Sequence, residues 1–384
     1  MRRRWVVLGL ATAWAAWPAA APATKGDGWT IQPTPDVPGA QRSALLGVSC
    51  TQPKACTAVG FAEAASGPAR PLAMRWDGKR WSSQPVALPA GALSGILHDV
   101  ACTRKRSCVA VGDYQTTPGV FVALAERWDG SAWAVEPAPD VPGTFLDTLN
   151  GVACPALDEC IAVGQQVAGN DSRTLAMRRQ GGAWTVVPTA ERAGTTFSTL
   201  ADVACARRDD CAAVGLAYVS IGGGTVAPRP LAERWNGASW KVESTQDPAA
   251  LRQTSVTGVS CPQPGACVAV GFYEASLNTF ATLAEHQAGA SWTLRPAPSP
   301  PGRTLGAVSC PTARSCIAVG GGSAPLAAQW DGMAWSERPT PMPAAGTEAG
   351  LSDVDCPKRR VCVAVGSVGI TPDTGRTLAM SLGV

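Results

Sequence analysis

Val48-Ser49-Cys50-Thr51-Gln52-Pro53-Lys54-Ala55-Cys56-Thr57-Ala58-Val59-Gly60 decides the architecture, because its frame returns six more times along the chain. The frame is two cysteines with five residues between them, a valine two places before the first, and Ala-Val-Gly soon after the second. The expected disulfide pairs are Cys50 with Cys56, Cys102 with Cys108, Cys154 with Cys160, Cys205 with Cys211, Cys261 with Cys267, Cys310 with Cys316 and Cys356 with Cys362, which use all 14 cysteines. A period of about 50 residues marks a propeller or a solenoid.

Working outward from the phrase, each unit reads as four strands. An apolar run into the first cysteine, such as Leu46-Gly-Val48, is the first. The Cys-x-Ala-Val-Gly run, whose small and β-branched residues suit a strand packed on both faces, is the second. A third run carries Leu-Ala, at Leu72, Leu124, Leu175, Leu231, Leu283, Leu326 and Leu378, and in four units ends in tryptophan followed by Asp-Gly or Asn-Gly. Those dipeptides supply the positive φ that a tight hairpin needs. The fourth run opens on a tryptophan (Trp81, Trp133, Trp240, Trp335) and reaches a proline four residues later in most units. Proline cannot donate to a ladder, which predicts an edge strand.

The ends of the repeat array are offset. Trp29-Thr-Ile-Gln-Pro33 matches a fourth strand without its first three, and Leu378-Ala-Met-Ser-Leu382 is a third strand without its fourth. The expectation is an all-β, seven-bladed β-propeller of four-stranded blades, closed by the N-terminal strand completing the last blade, with one hairpin disulfide per blade. An open β-solenoid is the competitor, but it needs distinct capping units and none is visible.

The phrases V-S-C-x5-C-x-A-V-G, L-A-E-R-W-D/N-G-x-x-W and P-x-P resemble those of poorly characterised secreted bacterial repeat proteins expected to form β-propellers. The resemblance covers the chain after its first segment and carries no catalytic residue with it. The Asp-Gly-x-x-Trp turn also resembles the Asp-box hairpins of sialidase-like propellers, although the Ser or Thr that precedes that aspartate there is absent here.

Met1-Arg-Arg-Arg4, an uncharged apolar stretch from Trp5 to Trp17, and Ala21-Pro22-Ala23 have the layout of a secretory signal peptide. The reading is therefore a signal peptide over 1–23, a single propeller domain over 24–384, and a secreted, extracellular or envelope-associated protein. The apolar stretch is shorter than the roughly 20 residues that span a bilayer, so no membrane span is expected in the mature chain. Discounting Arg2, Arg3 and Arg4, the 32 basic residues fall level with the 29 acidic ones, which argues against a nucleic-acid partner. In an exported chain the cysteines should be oxidised. Zinc ligation would want histidine, and His98 and His286 do not recur with the cysteine phrase.

In a propeller of consecutive hairpins, the disulfide loops and Gly turns share one face and the second-to-third connections share the other. That second face varies, from five residues over 321–325 to fifteen over 216–230. Loops on a rigid scaffold carry function, so ligand-binding candidates are sought there. They are Tyr114, Tyr218, Tyr273, Phe61, Phe272 and Asp113, rings being able to stack on sugars or anchor a partner. Phe121, Phe145, Phe197 and Phe280 fall in the same segments, with packing as the competing role.

Asp99, Asp202 and Asp353 share one position three before the cysteine and are assigned to backbone hydrogen bonding rather than to a metal. Glu126, Glu233 and Glu285 recur after Leu-Ala and are assigned to structure. A basic cluster on the disulfide turns (Lys54, Arg104 to Arg106, Arg207, Arg208, Arg314, Lys358 to Arg360) is read as a solvated rim. No nucleophile elbow, zincin motif or phosphate loop exists, so no catalytic residue, metal or cofactor is expected. The primary expectation is a monomeric binding or interaction module for a glycan, cell-envelope polymer or protein. A propeller-type polysaccharide hydrolase or lyase is the alternative, drawing on Asp113, Asp147, Asp171 and Glu274.

Overall fold

The computed structural model describes residues 28–248, 253–344, 346–371 and 373–383, so the segment read as a signal peptide lies outside the described residues. Every helix or strand element among them is a strand. β1 (Trp29–Gln32) comes first, and the units follow. Unit one is β2 (Arg42–Gln52), β3 (Ala55–Glu63), β4 (Arg70–Trp76) and β5 (Trp81–Gln84); unit two is β6 (Ser94–Arg104), β7 (Ser107–Thr117), β8 (Val120–Trp128) and β9 (Trp133–Glu136). Unit three is β10 (Leu146–Ala156), β11 (Glu159–Ala168), β12 (Asp171–Gln180) and β13 (Ala183–Val186); unit four is β14 (Thr195–Arg207), β15 (Asp210–Gly222), β16 (Thr225–Trp235) and β17 (Trp240–Val242). Unit five is β18 (Thr254–Ser260), β19 (Val268–Ser276), β20 (Thr279–Ala288) and β21 (Ser291–Leu294); unit six is β22 (Arg303–Thr312), β23 (Ser315–Gly322), β24 (Leu326–Trp330) and β25 (Trp335–Arg338). Unit seven has three: β26 (Glu348–Lys358), β27 (Val361–Thr371) and β28 (Thr374–Leu382).

In units one to six the strands pair antiparallel in chain order. In unit seven β26, β27 and β28 pair the same way, and β1 supplies the missing partner, with Trp29 opposite Leu382 and Gln32 opposite Ala379. The proline-bearing fourth strands are ladder-paired on one side only, as expected of edges.

Each first strand carries a β-bulge four residues before its cysteine, between Leu45 and Gly47 in unit one and between Leu97 and Asp99 in unit two. The bulge pushes backbone onto the second strand, which explains the Ala-Val-Gly glycine. A Cβ on Gly60 would stand 2.0 Å from the Ala44 carbonyl oxygen, and one on Gly112 would stand 2.0 Å from that of Ile96. The same collision recurs at Gly164, Gly215, Gly271, Gly320 and Gly366. Any side chain there forces the hairpin apart.

All fourteen cysteines are bridged, each within its own hairpin and with the expected partner. Cys50 bonds Cys56, Cys102 bonds Cys108, Cys154 bonds Cys160 and Cys205 bonds Cys211. Cys261 bonds Cys267, Cys310 bonds Cys316 and Cys356 bonds Cys362. The second member of each pair is the more deeply placed: Cys56, Cys108, Cys160, Cys211, Cys267, Cys316 and Cys362 are all buried, because they sit on the second strand, or in unit five directly before it, between neighbouring units. Each bridge closes a short loop, for which chain entropy gives about 2 kcal/mol. The double variant Cys50→Ser with Cys56→Ser should therefore fold, with about that loss in a denaturant titration. Complete unfolding of this variant would show that the bridges do more than pin hairpins.

Side chains tie each first strand to the next. The Ser49 hydroxyl accepts Cys102 N–H (3.0 Å), and an Asp99 oxygen accepts Val152 N–H (2.8 Å). Asn150 donates to the Leu200 carbonyl (2.8 Å), and Asp202 accepts Val259 N–H (2.8 Å). Ser260 and Ser309 accept Cys310 and Cys356 N–H, each at 3.0 Å. From unit seven back to unit one, Asp353 and Asp355 accept Val48 and Cys50 N–H at 2.7 and 2.6 Å. The aspartates thus do the backbone work expected of them. Gly47 and Gly151 make room for the next unit's aspartate, since a Cβ on either would lie 2.7 or 2.8 Å from the Cα of Asp99 or Asp202.

Apolar packing is likewise between units. Leu45, Val48, Met74, Trp76 and Trp81 of unit one pack with Val363, Val365 and Ala379 of unit seven. The repeating tryptophans are buried, and across three junctions a third-strand side chain lies on the next unit's ring: Arg75 on Trp128 (5.0 Å), Arg178 on Trp235 (5.7 Å) and His286 on Trp330 (4.3 Å).

Candidate functional site

The Gly turn between third and fourth strands sits against the disulfide loop of its own unit, Gly78 against Lys54, Gly130 against Arg106 and Gly332 against Arg314. That fixes one face as uniform and leaves the second-to-third hairpins on the other. Their reach differs: β15 and β16 run on to Gly222 and from Thr225, whereas β23 stops at Gly322 and β24 resumes only at Leu326. Over the short unit six, Gly321 and Gly322 pair with Gly350 and Ala349 of β26, an approach only glycine permits, since a Cβ on Gly321 would lie 2.4 Å from Gly350 Cα.

The result is a cleft of about 860 Å³ at the meeting of units six, seven and one. Hydroxyls from Ser43, Thr347, Ser367, Thr371 and Thr374 line it, with Arg42, Glu348 and the Phe61 ring. A second hollow of about 600 Å³ shares Ser43, Thr374 and Gly375 and continues along the linker after β1. Arg42 is held 3.7 Å from Glu63.

Of the six residues singled out in the sequence, Phe61 alone lines this cleft. Asp113 and Tyr114 stand on β7, Tyr218 on β15, and Phe272 and Tyr273 on β19. All are half-buried. Tyr114 and Tyr273 lean on the cores of units two and five, Phe197 meets Tyr218 edge-on (5.8 Å), and Phe272 meets Phe280 likewise (5.7 Å). Asp113 receives Thr148 Oγ1 (3.1 Å) and lies 2.8 Å from His98 Nε2. Asp147 accepts Val141 N–H, Glu274 accepts Asn278 N–H, and Asp171 pairs with Arg173. The cleft was not legible because its polar lining comes from the starts of β2, β26 and β28 and from the far half of β27, which the repeat phrase does not mark.

Carboxyl groups withdrawn wholly or partly from water are the second electrostatic feature. Asp99, Asp202, Asp353 and Asp355 sit half-buried on the first strands. Loss of water raises the carboxyls of all four, Asp355 to about 6; the charge of Asp202 raises Asp99 further, and that of Asp99 raises Asp353. Glu126, Glu233 and Glu285 are buried on the third strands, which pushes them up to about 8, 8 and 7. Glu233 accepts Ala190 N–H from the incoming linker (3.0 Å), but neither Glu126 oxygen has a partner. No group of three or more His, Cys, Asp or Glu among the described residues is arranged to hold a metal ion.

Solved structures share the fold. The chain is similar to YCF48 from Cyanidioschyzon merolae, with a TM-score of 0.55 and 12% identity over 92% of this chain and 98% of that one. YCF48 bound to D1 peptide gives 0.52 and 11% over 94% and 99%, and a protein of unknown function from Dyadobacter fermentans gives 0.51 and 9% over the same shares. These are β-propeller proteins.

The chain has a β-propeller fold.

At such identities the likeness concerns fold alone. No family model matches the chain, and no curated protein matches it in sequence.

Proposed function

We propose that this β-propeller is a seven-bladed closed ring, exported and cleaved, that works as an extracellular binding module. Its ligand site is the cleft over units six, seven and one. Closure is supported by β1 pairing with β28 and by a side-chain tie at each of the seven junctions, including the one from unit seven to unit one. Seven disulfides fit an oxidising compartment.

The observation that carries the binding reading is the lining of the cleft: five hydroxyls, one cation, one carboxylate and one aromatic ring around about 860 Å³. Hydroxyls and a ring are what a glycan needs, hydrogen bonds to its OH groups and a face for its C–H side. Glycoside hydrolysis needs two carboxyl groups flanking the bond, and the cleft offers Glu348 alone. Binding is thus favoured over the hydrolase alternative.

The test is a glycan array and envelope-fraction pull-down with the mature chain. Arg42→Ala and Phe61→Ala should each weaken retention at least tenfold with an unchanged thermal midpoint. Retention untouched by both substitutions would remove the cleft from consideration, and release of sugar from a retained glycan would restore the hydrolase.

A further inference from the structure

On the disulfide face, between units one and two, lies a pocket of about 490 Å³ lined by Arg75, Gln84, Lys105, Arg106, Trp128 and Gly130. Three cations converge there, and among the described residues none of them forms an ion pair with an acid. Arg75 lies over the Trp128 ring and donates from one Nη to the Lys105 carbonyl (2.6 Å), while its other Nη is buried without a partner. Burial lowers the pKa of this guanidinium. Gln84 Oε1 and the indole N–H of Trp128 are also unpartnered, although Trp128 is only 6% exposed. The neighbouring acids are turned away: Asp77 caps Lys79 and Arg80 N–H, and Asp129 caps Ser131 and Ala132 N–H.

The repeat itself shows what is missing. Two units further on, Arg178 occupies the position of Arg75, each standing opposite the residue after the second cysteine, and it too lies on the next unit's tryptophan. Arg208 occupies the position of Lys105, three residues after the first cysteine. There Glu159 joins the pair, bound to Arg178 and 3.4 Å from Arg208. Glu159 precedes Cys160, and the residue preceding Cys56 is Ala55. Unit four repeats the solution with Asp210, which precedes Cys211 and pairs with Arg234. The junction of units one and two keeps the cations and the ring and lacks the acid. Desolvating an arginine without a counter-charge is costly, so the arrangement is complete only when a carboxylate comes from outside.

We propose that this pocket binds a carboxylate group of an external ligand, which occupies the place that Glu159 fills between units three and four. Arg75 and Lys105 take the oxygens, Arg106 lies across the Gly130 turn to close the rim, and the Trp128 indole N–H offers a further donor. The site is separate from the cleft and does not depend on it.

The test titrates the mature full-length chain with succinate and, separately, with a Glu-Glu-Glu peptide at low ionic strength. Calorimetry and the indole N–H resonance of Trp128 report binding. One site is expected. Arg75→Gln should weaken it at least tenfold. Ala55→Glu, which supplies the absent carboxylate from within, should weaken it as much and raise the thermal midpoint; if that variant does not fold, Lys105→Gln replaces it with the same expected loss. Tenfold tighter binding of the peptide points to an acid carried on a chain, and equal binding to a free small acid. Absence of binding to the wild type, or equal binding by wild type and both variants, overturns the proposal.

Discussion

A chain beginning at residue 35, without β1 and the two residues after it, is expected to lose its cooperative unfolding transition or to melt at least 10 °C lower. Trp29 is 5% exposed and packs with Leu378, Met380 and Leu382, so its truncation alone should cost about 3 to 5 kcal/mol. Deletion removes more: the ladder to β28, the Thr30 and Thr34 hydroxyl contacts to Ser381 and Thr377, and Gln32, which receives the indole N–H of Trp81 at 2.9 Å. That last bond reaches into unit one. β1 therefore joins the final unit to the first, and without it β28 becomes an apolar edge open to pairing with other chains. Trp29→Phe should retain the transition. Scanning calorimetry decides the matter, and an unchanged midpoint for the truncated chain would contradict the closed ring.

Stability should fall by several kcal/mol between pH 5 and pH 8.5. Carboxyls with folded pKa values above their unfolded ones include the four half-buried aspartates among the first strands, and the buried Glu126, Glu233 and Glu285 at about 8, 8 and 7. A raised acid binds its proton more tightly in the folded chain, so its contribution is complete below the unfolded value and vanishes as pH climbs through the folded one. Each unit of such a rise corresponds to about 1.4 kcal/mol. His286, lowered by burial to about 4, works in the other direction and erodes stability as acid approaches that value. Optimum stability should then lie on the mildly acidic side of neutrality. Glu126 is the sharpest probe, fully buried with both oxygens unpartnered, while units one, three and seven place Met74, Met177 and Met380 at the same position. Glu126→Met should raise the midpoint at pH 8 by several degrees and flatten the pH profile. A wild-type midpoint that rises from pH 5 to pH 8.5 would show these groups ionised in the fold.

The strands, their antiparallel order, the seven hairpin bridges and the join of β1 to β28 were all readable in the sequence, because each is written in residues that recur with the period. Cysteine spacing, Asp-Gly turns and fourth-strand prolines are local chemistry, and local chemistry survives translation into structure. The reason for the Ala-Val-Gly glycine was not readable: it answers a bulge on the neighbouring strand, a contact invisible until Ala44 and Gly60 are set side by side. Site reading suffered from the same limit. Tyrosine and phenylalanine drew attention as chemically conspicuous residues, but Tyr114, Tyr218, Phe272 and Tyr273 pack among themselves or on their own units. The cleft is made by what unit six lacks, a tall hairpin, and by small hydroxyl residues that no motif flags. Beside the basic rim, read as solvated, the half-buried Arg75 of β4 has no acid partner among the described residues, and only comparison between repeats makes that gap visible.

Because third strands run towards the disulfide loops, β28 finishes and β1 starts on the disulfide face, next to each other. An attachment made at this paired end of β1 and β28, to a surface or a laboratory resin, would grip the molecule from the disulfide face and turn the hydroxyl-lined hollow towards the medium. Immobilised this way, the protein should display its cleft unobstructed.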